Sequence, residues 1–277
     1  VVSYLAMLEE MLNTAKYKVT VLMTVYNCAE TIAEAVDSIL NQSFKDFCIV
    51  LCDDCSVDST YEILLQKYSH LNNIYIIRNN RNLGRATSSN NCLRIIDSEY
   101  VARMDGDDIS LAGRLQAEVD FLDNNHEFDL VSTPMIYFDE KGDYRIGRAV
   151  EYPDISDFSS DTPFCHGPSL IRTNAIKSLG GYSEAKNIIR VEDVDLWYRL
   201  YMSGYKGYNI QQPLYKMRND KKTFSRRKPK YRLLQFLHGY QMRRKLGVPH
   251  AFWVSLPYFI KIFIPWQVFY YTRRLRR

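Results

Sequence analysis

The chain has 277 residues, 46% hydrophobic and 25% charged, a balance that excludes a fibrous or disordered protein and suits one large domain or a domain with an appendage. Its net charge of +4 is unevenly spread: residues 216 to 277 carry 17 Lys/Arg against one acid, Asp220, for +16, and the remainder carries −12. A basic quarter on an acidic body points to an anionic partner, lipid or nucleic acid.

Residues 1 to 17 read as an N-terminal extension. They lack the basic start of a secretory signal and include Glu9 and Glu10, so a cytoplasmic, reducing compartment is expected. The six cysteines then stay reduced, and Cys52 and Cys55 form an incidental C-x-x-C with no second pair to complete a zinc site.

Residues 17–27, "YKVTVLMTVYN", are β-branched and apolar, hence a buried strand. Ile32, Ala35, Val36, Ile39 and Leu40 then recur at helical spacing. "FCIVLCDD" (47–54) and "NIYIIRN" (73–79) are strands around a helix capped by Ser56 or Asp58. "GRATSSNNCLRIID" reads as a third helix and "SEYVARMD" as a fourth strand. Such alternation predicts a parallel sheet covered on both faces, with ligands beyond the carboxyl ends of its strands. Those ends, Tyr26-Asn27, Asp53-Asp54, Arg78-Asn79 and Asp105 to Asp108, are all polar.

Beyond residue 110 come a helix, "RLQAEVDFLDNN", and two strand-like runs about a Lys141-Gly142 turn. A mixed stretch ending at Gly180-Gly181 follows. The helix "VEDVDLWYRLYMSGY" then turns Val194, Trp197, Leu200 and Tyr201 to one face and is closed by Gly204. Residues 221–230 read as a basic linker.

Residues 251–271 carry one charge, Lys261, over a length near a bilayer core's thickness of about 30 Å. Lys261, Pro257, Pro265 and the wealth of Trp, Tyr and Phe argue against a span. A broken helix lying in the lipid interface is expected, with "RRLRR" (273–277) on anionic headgroups; the bland alternative is a helix packed on the domain.

Asp105, Asp107 and Asp108 crowd like charges at a strand end, which a divalent cation would resolve. If the strand runs on through Asp107, Asp105 and Asp107 share a face. Two carboxylates at that spacing suit Mg²⁺ or Mn²⁺ with open positions for phosphate oxygens. No G-x-x-x-x-G-K or G-x-G-x-x-G is present, so phosphate must be held by metal and basic side chains.

Six blocks in order resemble glycosyltransferase family 2, the inverting GT-A enzymes that use nucleotide-diphosphate sugars. They are "VTVLMTVYN", "DDCSVDST", "RNNRNLGRATSSNN", "VARMDGDDIS", "FCHGPSLIRTNAIKSLGGY" and "VEDVDLWYRL". The resemblance implies an α/β GT-A domain over residues 18–220, with a nucleotide half (18–110) and an acceptor half (111–220). Residues 221–277 follow as a basic, helical, membrane-surface segment.

By resemblance, Thr24, Tyr26, Asp54, Arg85 and Asp105 would bind the nucleotide, Asp105 and Asp107 the metal, and Asp193 would be the catalytic base. His166, Glu192 and Arg218 would serve the acceptor or the diphosphate, and Asp108 would cap or support. Asp193 starts a helix, whose dipole is expected to keep it ionised. The chain departs from the pattern at Cys55, where Gly is usual; at Thr24, where Pro is common; and at Arg218, which stands for a His in "YKMR". "NDKKTFSRR" would be a loop closing over the nucleotide.

The implied partners are a UDP-linked donor, a polyprenyl-diphosphate-linked saccharide and an anionic membrane surface, with no nucleic acid. The implied place is the inner face of the cell membrane. A nucleotidyltransferase, which would need a Gly-rich signature, and a catalytically dead binding protein are the competing readings.

Overall fold

The computed structural model describes residues 13–159, 162–225 and 228–275. The N-terminal extension therefore lies mostly outside the described residues. Its end is tied down: Thr14 is buried, donates to the Ile95 carbonyl at 3.1 Å and accepts from the Asp97 N–H at 2.7 Å.

Four strands alternating with three helices open the fold: β1 (Val19–Val25), α1 (Ile32–Leu40), β2 (Phe47–Asp53), α2 (Thr60–Tyr68), β3 (Ile74–Arg78), α3 (Arg85–Arg94) and β4 (Tyr100–Asp105). Two-residue β5 (Ile109–Ser110) and α4 (Arg114–Asn124) follow. Next come β6 (Leu130–Ser132) and the expected hairpin, β7 (Met135–Asp139) with β8 (Gly142–Ile146). Gly142 takes φ +105 at that turn, where a side chain would be strained. The chain continues through β9 (Leu170–Arg172), α5 (Thr173–Ser178), α6 (Glu192–Met202), β10 (Gly207–Asn209) and β11 (Tyr215–Arg218).

The main sheet runs β10-β6-β9-β4-β1-β2-β3. It is parallel except for β9, which is antiparallel to both β4 and β6. A second sheet, β5-β11-β7-β8, sits at the end of β4. Alternate residues feed opposite faces: Val19, Val21 and Met23 pack with Ile32, Val36, Leu64 and Leu115, and Leu22 packs with Val50, Cys92, Leu196 and Trp197. Both faces of β1 are therefore apolar, as a doubly covered strand requires. Each fully buried Leu or Ile contributes about 1.5–3 kcal/mol.

The C-terminal quarter comprises α7 (Lys221–Ser225), α8 (Pro229–Lys245), α9 (Ala251–Ile260), a 3₁₀ turn (Lys261–Phe263) and α10 (Trp266–Leu275). The stretch expected as a basic linker is helical on both sides of residues 226–227, which lie outside the described set. Pro229 occupies the first turn of α8, where its missing N–H costs nothing. α8 belongs to the body: Met242, Leu246 and Val248 join the core, and buried Arg243 donates to the Phe158 carbonyl at 2.6 Å.

α9 lies on α8 through Phe236–Phe259 and Tyr240–Phe252 ring contacts and buries Ala251 and Ser255. Its other face is open: Trp253 is 67% exposed, and Phe263 in the next turn 73%. The segment thus packs on the domain along one side and presents aromatic side chains on the other. Among the described residues no helix is long and apolar enough to cross a membrane. Of the "RRLRR" run, residues 276–277 lie outside the described set.

Candidate active site

The parallel register brings the polar strand ends to one rim: Val25 pairs with Asp53, Asp53 with Arg78, and Thr24 with both Cys52 and Asp105. At the end of β2, buried Asp53 accepts from the Ser56 N–H at 3.1 Å and pairs with Arg78 Nε at 3.2 Å. Burial raises its pKa, against the pull of Ser56 and Arg78. Arg78 also lies over the Tyr61 ring at 4.3 Å. Cys55, in the glycine position, adopts φ +60, so this turn keeps the left-handed backbone and tolerates the Cβ at a cost.

Asp54 has a different task. One oxygen accepts from the Leu83 N–H at 2.8 Å and from Asn79 Nδ2 at 2.9 Å; the other accepts from the Gly84 N–H at 2.8 Å. It thereby fixes the residues immediately before Arg85, the first residue of α3. Asn79 extends the network to Ser88 and Asn91. Tyr26 lies past the end of β1 with its ring exposed. Thr24 is half-buried, and its Oγ1 is enclosed without a hydrogen-bond partner.

β4 ends at Asp105 rather than continuing through Asp107, so the expected same-face alternation of these two residues gives way to a turn. Arg103, wholly buried two residues earlier, donates to Asp105 Oδ1 at 3.1 Å and to the Leu22 carbonyl at 3.0 Å. Asp108 points inward and accepts from the Arg218 N–H at 2.8 Å and the Tyr215 hydroxyl at 3.0 Å. Burial, then the charges of Asp107 and Asp105, push its pKa well up. Arg218 donates through Nε to the Asp107 carbonyl at 2.9 Å and through Nη2 to Glu34 at 2.6 Å, and lies over Phe138.

Arg85 joins this turn to the start of α6. Its Nη1 lies 3.9 Å from Asp105 Oδ2. Asp105 foremost, then Glu192, Asp193 and Asp107, raise its pKa against the opposing effect of burial. Asp193 caps the adjacent Val194 N–H at 2.9 Å. Burial raises the Asp193 pKa, with the Glu192 charge adding to the rise and the Val194 N–H and Arg85 opposing it. Burial thus works against the helix N-terminus at Asp193, because desolvation disfavours the charged form.

His166 is buried beside the same rim, with Nε2 2.8 Å from the Tyr182 hydroxyl and its ring edge-on to Trp197. Burial, then Arg103, drive its pKa well down, so the imidazole is neutral near pH 7. Its Nδ1 is enclosed without a partner.

Asp105, Asp107, Arg85, Glu192, Asp193, His166 and Arg218 are thus linked by contact or by field to one rim, with Thr24 and Asp54 beside them. Arg103, Tyr182 and Tyr215 were not read as site residues from the sequence. An arginine inside the apolar run "YVARMD" was the available signal for Arg103. Among the described residues no three His, Cys, Asp or Glu side chains form a metal cage. Asp105 and Asp107 supply two hard oxygen donors, which fits a divalent ion completed by phosphate oxygens and water. The enclosed, unpartnered Thr24 Oγ1 in register with Asp105 is a further oxygen at that rim.

Comparison with known proteins bears on the family and the fold. The chain is 39% identical over 265 residues to EpsE of Bacillus subtilis (strain 168), covering 93% of this chain and 94% of that protein. It is 28% identical over 191 residues to the UDP-Glc:alpha-D-GlcNAc-diphosphoundecaprenol beta-1,3-glucosyltransferase WfaP of Escherichia coli, covering 69% and 73%. In fold it resembles Staphylococcus aureus TarS 1-349 in complex with UDP (TM-score 0.63, 20% identity, 83% of this chain and 70% of that one). It also resembles the mannosyltransferase PcManGT of Pyrobaculum calidifontis in complex with GDP-Man and Mn²⁺ (TM-score 0.62, 19% identity, 94% and 80%). The model of the family described as "Glycosyl transferase family 2" matches residues 20–180, more than half of the chain, and the chain belongs to that family.

Proposed function

We propose that the protein transfers a sugar, with inversion, from a UDP-linked donor to a hydroxyl of a saccharide carried on polyprenyl diphosphate, at the cytoplasmic face of a membrane. The observation that carries this reading is the meeting at Arg85 of two acidic groups: the Asp105–Asp107 turn on one side, and Glu192 with Asp193 on the other. The first suits a diphosphate with its counter-ion and the second suits a proton acceptor.

Thr24 and Tyr26 line the base pocket. Asp54 borders it and, through Leu83 and Gly84, sets where Arg85 stands. Arg85 and Arg218 face the diphosphate, to which guanidinium groups donate in pairs. Asp105 and Asp107 would hold Mn²⁺ or Mg²⁺, which when bound neutralises the leaving diphosphate. Asp193 removes the acceptor hydroxyl proton as that oxygen bonds to the anomeric carbon. The bond from that carbon to the donor phosphate oxygen breaks, and its electron pair leaves with the nucleotide diphosphate. Burial, by raising the Asp193 pKa, makes it the stronger base. Glu192 and neutral His166 border the acceptor side.

UDP as donor nucleotide is supported by the relatives named for UDP-sugars and by TarS solved with UDP and with UDP-GlcNAc. The lipid-linked acceptor is supported by the diphosphoundecaprenol in two relatives' names. The membrane face is supported by exposed Phe252, Trp253, Ile260 and Phe263 beside a +16 segment. The test is binding of UDP with Mn²⁺ by calorimetry, followed by a transfer assay with a panel of UDP-sugars. Absence of any UDP or GDP binding would sink the reading.

A further inference from the structure

We propose that the Tyr215 hydroxyl is the positioning group that sets the Asp105–Asp107 turn in its metal-ready shape. This rests on the reading of that turn as the metal end of the donor site.

The turn has little of its own to hold it. Within it, the Asp108 N–H reaches the Asp105 carbonyl only at 3.5 Å, at the outer limit of a hydrogen bond. Three carboxylates there repel one another. Thr31 Oγ1 donates to the Gly106 carbonyl at 2.8 Å and Arg103 holds Asp105, and the contacts that reach both Asp105 and Asp108 come from β11, more than a hundred residues downstream. The Tyr215 hydroxyl accepts from the Asp105 N–H at 3.3 Å and donates to Asp108 Oδ2 at 3.0 Å. Asp108 is thereby drawn inward, together with the Arg218 N–H, which leaves Asp105 and Asp107 as the outward pair. A hydroxyl does both at a single oxygen, whereas an ammonium cannot accept and an ionised carboxylate cannot donate.

Tyr215 is itself held. It is wholly buried. A Cβ added at Gly167 would meet its Cζ and hydroxyl oxygen at 2.8 Å, so glycine is what lets the ring reach the turn. Arg114 lies over the ring at 5.4 Å and donates to the carbonyls of Arg103 and Gly167 at 3.1 and 3.3 Å. Arg103 holds the Asp105 carboxylate from the opposite side at 3.1 Å. Tyr215 touches the turn and would not touch the substrate, so it is a positioning residue.

The experiment measures Mn²⁺ binding to the full chain with UDP present, by electron paramagnetic resonance. Wild type, Tyr215→Phe, Gly167→Ala and Asp107→Asn are compared, with Tm and the KM for Mn²⁺ recorded for each. Removing an outer partner of a metal ligand weakens metal affinity roughly 10–100-fold. Tyr215→Phe, which keeps the ring, is expected to fall in that range, raising the KM for Mn²⁺ by a similar factor while kcat at saturating metal changes less. Gly167→Ala, which reaches neither carboxylate, is expected to shift Mn²⁺ affinity the same way. Wild-type Mn²⁺ affinity in Tyr215→Phe, with or without a lower Tm, overturns the proposal and leaves the tyrosine a packing residue. Should that variant not fold, Gly167→Ala decides by the same criterion. Equal Mn²⁺ binding in wild type and Asp107→Asn would instead overturn the metal reading beneath it.

Discussion

At the rim of the main sheet, Asp53, Asp54, Asp105 and Asp108 each meet named donors at 2.8–3.2 Å. In the C-terminal segment, Trp253 and Phe263 are left more than half open, each touching only the edge of a neighbouring ring, Phe252 and Phe259, among the described residues. Both arrangements carry a free-energy cost. Buried carboxylates lose hydration, which hydrogen bonds and arginines offset locally. Exposed aromatic area forgoes about 25 cal/mol per Å² that burial would recover. The rim's charges are therefore answered within the described residues, whereas the tail's aromatic face stays open among them; under the proposed function the first would take a cation and substrates and the second a lipid surface.

The comparison breaks first at Asp193. Asp193→Asn keeps the side chain's shape and removes the proposed base. Transfer is expected to fall by about 10³-fold, within the range for a positioned general base, with UDP affinity unchanged. Retained turnover would move the base elsewhere on the rim.

The tail side is tested by Trp253→Glu combined with Phe263→Glu. Co-sedimentation with vesicles rich in anionic lipid is expected to weaken about tenfold or more, since each side chain forfeits on the order of 1–2 kcal/mol of burial in lipid. Tm should not change, because neither side chain is buried in the body. Undiminished vesicle binding would remove this face from the membrane reading.

A smaller effect separates the two regions by pH. Glu118 faces Arg114 at 3.5 Å without a hydrogen bond, and burial pushes its pKa up to about 8. From about pH 4.5 to 8 the folded protein then binds a proton that the unfolded chain has released, so stability falls as pH rises across that window. Asp53, Asp108 and Asp193 are raised in the same direction, each adding stability that is lost as pH rises through its own folded pKa. Glu118→Gln is expected to flatten it by on the order of 2 kcal/mol between pH 5 and 8, read as Tm by circular dichroism. An unchanged slope would mean that Glu118 is ionised throughout.

The smallest expected effect is at Cys55. Its left-handed φ of +60 is strained for a residue with a Cβ. Cys55→Gly is predicted to stabilise by about 1 kcal/mol, roughly 2 °C in Tm, without altering UDP binding. A loss of stability would show that the thiol's packing outweighs the backbone strain.

Strand and helix positions from β1 to β4 were legible because each is a local pattern: continuous apolar runs, helical spacing, polar ends. The acidic turn, Arg85 and Asp193 were legible as residue types in ordered blocks. The end of β4 at Asp105 was not, since the same letters continue a strand or make a turn depending on what β11 offers them. Nor was the inward capture of Asp108, or the task of Asp54 in holding the residues ahead of Arg85. The C-terminal segment was legible as aromatic and basic, but α8's place in the core depends on α6 and Phe158, distant in sequence.

By itself, then, the order of residues determined the strands and helices from β1 to β4 and the polar chemistry that gathers near their ends, because those depend on contacts a few residues apart. Tertiary structure decided which carboxylate faces outward, which arginine offsets it, and which way burial moves Asp193. Those are set by Arg103, Tyr215 and Arg218 meeting the turn through space, and by how much water the closed fold leaves around each charge.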